Sequence, residues 1–102
     1  LVLYDDLVKR AARADRALER EDYPLLEASM DRCVDIPHYL DATLDRQYPI
    51  SGELHRLYDF FCYDFSRVKA GRNREELGKL RPMIADLRES FRSAEKATAA
   101  TR

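Results

Sequence analysis

The amino-acid sequence predicts an all-α fold, an antiparallel four-helix bundle, and three observations carry that prediction. Apolar residues recur at alternating steps of three and four in four separate stretches, the spacing that gathers side chains on one face of an α-helix. No stretch shows the strict apolar-polar alternation of a half-buried strand. Turn-forming and charged residues fall between the stretches, at Glu19 to Pro24, Asp45 to Gly52 and Gly71 to Asn73. Connections that short make consecutive helices antiparallel neighbours.

The first helix, over about residues 1–20, follows from Leu3, Leu7, Ala11, Ala14 and Leu18 on one face, with Lys9, Arg10, Arg13, Asp15 and Arg16 opposite. The helical pattern is already under way at Leu1, with no capping residue before it, so a further turn is expected upstream. Asp22 is placed to cap the second helix (24–45), and Pro24 fits its first turn, where a missing N–H costs nothing. In that helix Leu26, Met30, Cys33, Pro37, Leu40 and Leu44 form one stripe, and Ile36, Tyr39 and Thr43 form a second beside it. The stripe stays in phase across Pro37, which predicts one helix bent at the proline rather than two.

Tyr48, Pro49 and Gly52 mark the plainest loop, after which Ser51 is expected to cap the third helix (52–69). Its core face is Leu54, Leu57, Phe61, Phe65 and Val68, widened by Tyr58, Phe60, Cys62 and Tyr63 into the most aromatic element of the chain. Asn73 and Glu76 have the spacing of a capping box for the fourth helix (74–95), where Leu77, Leu80, Ile84, Leu87, Phe91 and Ala94 continue the rhythm. Residues 1–96 thus make one domain, and the small polar tail 97–102 is expected to fray. A chain of 102 residues buries enough apolar surface to fold without a disulfide or a metal.

Composition excludes several functions. Eighteen Lys and Arg against 19 Asp and Glu, interspersed throughout, leave no basic stripe for a nucleic acid. No apolar run reaches the ~18 residues of a membrane span, and no signal peptide opens the chain, so a soluble cytoplasmic protein is expected. Cys33 and Cys62 lack CxxC spacing and read as small buried hydrophobes. His38 and His55 are the only histidines. A di-iron bundle needs two Glu-x-x-His pairs, which the chain lacks, and no nucleophile triad or glycine-rich phosphate loop is present. Neither metal, cofactor nor enzyme chemistry is expected. A helical adaptor or a histidine phosphotransfer module built on His55 is the alternative, although Tyr58-Asp59 stands where such modules place Lys-Gly after His55-Arg-Leu57.

What the pattern leaves over is apolar surface. Tyr39, Tyr48, Phe60, Tyr63 and the flank of Ile36 exceed the needs of a four-helix core. With the second and third helices adjacent, these side chains are expected to line one groove, suited to an amphipathic helix of another chain.

The residues also resemble a known family. Leu3-Tyr4-Asp5, then Ala14, Ala17, Leu18 and Asp22, the run from Cys33 to Asp45, Leu57-Tyr58-Asp59-Phe60, and Leu87 to Phe91 are similar in order and spacing to the flagellar export chaperones of the FliS family. The resemblance implies a non-enzymatic cytoplasmic chaperone, independent of nucleotide or metal. Such a protein binds the disordered C-terminal segment of flagellin, prevents premature polymerisation, and engages components of the flagellar type III export apparatus. The matched positions implied as protein-binding residues are Ile36, Leu40, Leu44 and Tyr58, flanked by Tyr39 and Phe60. The chain departs from the family pattern at Asp6, Pro37 and Phe91, where glycine, an aliphatic residue and tryptophan are common.

Overall fold

The computed structural model describes residues 1–94 with their side chains and the backbone to residue 100; the expected frayed tail, 97–102, lies outside the fully described part. Four helices follow one another: α1 (Val2–Glu19), α2 (Tyr23–Ala42), α3 (Ile50–Gly71) and α4 (Arg74–Ala100). They form the antiparallel bundle that the periodicity predicts. α2 packs against α1 and α3, and α1 also against α4, whereas α3 and α4 touch least of the neighbouring pairs.

The core is one continuous cluster. From α1 it takes Tyr4, Leu7 and three alanines, Ala11, Ala14 and Ala17, whose short side chains let neighbouring helices approach closely. α2 adds Leu26, Met30, Cys33 and Ile36; α3 adds Tyr58, Phe61, Phe65 and Val68; α4 adds Leu77, Leu80 and Ile84. α2 is a single helix through the buried Pro37, as the unbroken stripe predicts. Burial pushes the Cys33 thiol up to about 12 and raises that of Cys62, so neither is an activated nucleophile.

The helix ends test the capping arguments individually. The Asp22 carboxylate accepts from the Leu25 N–H at 3.3 Å, as expected of an N-cap. Ser51 does not cap α3: the helix begins earlier, at Ile50, and Ser51 is buried inside the first turn. The left-handed residue that closes α3 is Arg72, with φ of 51°, rather than the adjacent Gly71. Its guanidinium lies 3.6 Å from the Tyr23 ring centroid, and this cation–π contact offsets a backbone strain of about 1 kcal/mol. At α4, Asn73 Oδ1 accepts from the Glu76 N–H at 3.1 Å, but the reciprocal half of the box is not made, because the Asn73 N–H donates to the Val68 carbonyl.

Ion pairs clip the helices together around the outside. Arg32 of α2 donates to Asp6 of α1 at 3.0 Å, and Lys69 of α3 to Asp31 of α2 at 2.6 Å. Arg74 donates to Asp15 of α1 at 2.9 Å, which holds that carboxyl below the usual aspartate range. Arg88 and Arg92 reach Asp5 at 3.8 and 3.5 Å. Among the described residues no such pair spans α3 and α4. Exposed pairs contribute little singly, so burial remains the main source of stability.

Inside the bundle, one polar contact crosses between the diagonal helices. The Tyr4 and Tyr58 hydroxyls hydrogen-bond each other in a buried setting, and burial raises both phenols above their ordinary range. The Tyr4 ring also stacks on Phe91 of α4, with centroids 5.0 Å apart. Removing one hydroxyl strands the other, whereas removing both leaves a dry apolar contact. Tyr4→Phe or Tyr58→Phe alone is therefore expected to cost about 1–3 kcal/mol in chemical denaturation, and the double variant less than the sum.

Candidate protein-binding surface

The residues singled out from the sequence divide between the interior and the outside. Ile36, 1% exposed, and Tyr58 belong to the core, so they cannot meet a partner in the folded monomer. Ile36 sits on the face of α2 that turns towards the bundle axis, and the Tyr58 hydroxyl is taken by Tyr4. Leu40 is half-buried in the last turn of α2, and Leu44, expected inside a helix reaching residue 45, lies just beyond it, because α2 ends at Ala42 with Thr43 as its cap; both pack on the core. Tyr39 is 58% exposed and Phe60 41% exposed. Tyr63, at 65%, is more open than either.

These exposed side chains do not share one groove. Tyr39 lines a cleft of about 510 Å³ with Leu3, Arg32, Asp35, Ile36 and His38, between the start of α1 and the second half of α2. Phe60 and Tyr63 line another, of about 660 Å³, with Val34, Arg56, Asp59, Cys62 and Ser66, between α2 and α3. The expectation of a single α2–α3 groove holding Tyr39 together with Phe60 is thus corrected: α2 separates the two. Periodicity along one helix tells which residues share a stripe, but the neighbour that each flank meets depends on how the helices rotate on packing.

Each cleft mixes apolar floor with charged rim. In the first, the half-buried Leu3 and the exposed Tyr39 supply the open apolar part above the sealed Ile36, and Arg32 is held by Asp6. In the second, Arg67 lies 5.8 Å from the Tyr63 ring centroid, and the Cys62 thiol donates to the Val34 carbonyl. Such a combination suits an amphipathic segment, whose apolar face enters the cleft while its polar face meets the rim.

Other exposed apolar residues escaped the sequence reading. Ile50 is open beside Tyr48 at the α2–α3 connection, and Met83 and Phe91 are partly open on α4. Phe91 continues the core stripe in the sequence, so nothing in its spacing signals that it surfaces; Tyr4 covers only one face of the ring.

The histidines serve no cluster. His55 of α3 lies 2.7 Å, through Nδ1, from the Asp41 carboxylate of α2, and Arg46 approaches the same carboxylate at 3.5 Å. Among the described residues no group of three or more His, Cys, Asp or Glu could hold a metal ion, and no helix is long and apolar enough to cross a membrane.

The chain is a four-helix bundle that leaves aromatic side chains uncovered in clefts on both sides of one helix, α2. The family follows from comparison: a sequence model described as Flagellar protein FliS matches residues 1–98, and the chain belongs to this family of flagellar export chaperones, as the resemblance implied. No curated protein matches the chain.

The divided placement separates stability from exposure. Ile36→Asp, which forces a charge into the core, is expected to destabilise the fold by about 3 kcal/mol or more. Tyr39→Ser and Tyr63→Ser are each expected to shift stability by no more than about 0.5 kcal/mol. Urea melts followed by circular dichroism measure all three.

Proposed function

We propose that this chain is a cytoplasmic export chaperone that holds the disordered C-terminal segment of flagellin, keeps it from polymerising, and presents it to the flagellar type III export apparatus. The single observation that favours this reading is the pair of clefts flanking α2, each with an exposed aromatic side chain. A rigid partner with one short helix fills one cleft. A long flexible segment can cross α2 and enter both, ordering as it binds. Sequestering the apolar faces of flagellin's terminal helices denies them to neighbouring flagellins, so assembly is blocked without any chemical step. Family membership supports the chaperone role in general, and the clefts support an extended, initially unfolded client.

Within this reading Tyr39 and Phe60 are direct contacts, Leu40 and Leu44 extend the apolar surface at the end of α2, and Ile36 and Tyr58 act from beneath by fixing the helices that carry them. Buried aromatic anchors dominate interfaces of this kind.

Isothermal titration of the chain with the C-terminal segment of its host's flagellin tests the proposal. Tyr39→Ala and Phe60→Ala are each expected to weaken binding by about tenfold, equivalent to about 1.4 kcal/mol, with the melting curve unchanged. Unaltered affinity in both variants refutes the placement of the client. Failure of the wild-type chain to bind refutes the function.

A further inference from the structure

Among the described residues Asp64 is the one carboxylate in the core, 2% exposed, and its position is not explained by the binding surface. Its Oδ1 accepts from Arg67 at 3.3 Å, whereas its buried Oδ2 has no hydrogen-bond partner. A stranded oxygen of that kind costs free energy unless a donor reaches it. The side chain that faces it is another acid, Glu76, at the start of α4. Glu76 has the spacing to bond back to the Asn73 N–H, yet that N–H donates to the Val68 carbonyl and the Glu76 carboxyl is directed across to α3.

We infer that Asp64 and Glu76 share one proton, the Glu76 carboxyl donating its O–H to the Asp64 carboxylate, and that this hydrogen bond latches the first turn of α4 to α3. Loss of the proton to solvent turns the bond into a repulsion between two carboxylates and loosens the latch. The charged groups acting on Glu76 are Asp64 and Arg67 from α3 and Lys79 from α4. Lys79, at 4.0 Å, and Arg67 favour the ionised form, as does the helix N-terminus. The bond to Asp64, followed by partial burial, acts the other way and prevails, raising the Glu76 carboxyl above the usual glutamate range. The latch matters because, among the described residues, α3 and α4 touch least of the neighbouring helices.

The sign of the pH dependence separates this device from ordinary capping. A group that binds its proton more tightly in the folded state stabilises the fold below its unfolded-state value, and that contribution is lost as pH rises through its folded-state value. A glutamate that merely complements the helix dipole does the reverse and gains stability on ionisation. Glu76→Gln replaces the protonated acid by an amide that donates at any pH.

The test is a series of thermal melts of wild type and E76Q from about pH 4 to about pH 8, with the Glu76 side-chain carboxyl followed by carbon-13 NMR. The melting temperature of E76Q relative to wild type is expected to rise across the series, with the Glu76 resonance titrating above the ordinary glutamate range. Asp64→Asn, if it folds, is expected to return that resonance to the ordinary range; the E76Q comparison stands without it. An ordinary Glu76 titration, or an E76Q advantage that is constant or shrinks as pH rises, overturns the inference.

Discussion

The Tyr4–Tyr58 contact is the interaction that ties the diagonal helices α1 and α3 together through the middle of the bundle. In an up-down-up-down arrangement α1 and α3 lie diagonally, too far apart for their backbones to meet, so only long side chains reaching through the middle can bind them. Two tyrosines do this with hydroxyls that satisfy each other away from water, and Phe91 stacked on Tyr4 adds the fourth helix to the same node. A mismatch in the rotation of α1 or α3 leaves two buried hydroxyls without partners. The pair therefore fixes the register of the elements as well as adding stability.

The rest of the molecule is held unevenly. α1 lies close against its neighbours because alanines form its core face, and acidic side chains along its length collect arginines from α2 and α4. α2 and α3 are joined by the Asp31–Lys69 and Asp41–His55 contacts. α3 and α4 share far less, and their connection relies on the Asn73 turn, Arg72 stacked on Tyr23, and the buried acid at Asp64. Among the described residues the bundle is thus tied closely on three sides and more lightly on the fourth.

Much of this was legible in the sequence. The stripe Leu26, Met30, Cys33 and Pro37 is buried where the periodicity puts it, as are Phe61, Phe65 and Val68 and then Leu77, Leu80 and Ile84. The openness of Tyr39, Phe60 and Tyr63 was also legible, because α2 and α3 carry more apolar residues than one seam accommodates. The division of that surplus was not. Ile36 and Tyr39 lie on one line of the wheel three residues apart, yet one is sealed in the core and the other open.

The sequence by itself therefore determined the number of helices, their approximate limits, their antiparallel order and most of the core, since these follow from local spacing and from connections too short to permit another path. Its motifs also pointed to the family. Tertiary structure alone decided which flank of each helix meets which neighbour. That choice moved Ile36 and Tyr58 inward, put Tyr39 and Phe60 in different clefts, and left the Asn73–Glu76 capping box half made. The physical reason is that helical periodicity records the angle of a side chain about its own axis, while burial depends on what stands opposite, which is settled only when all four helices pack together.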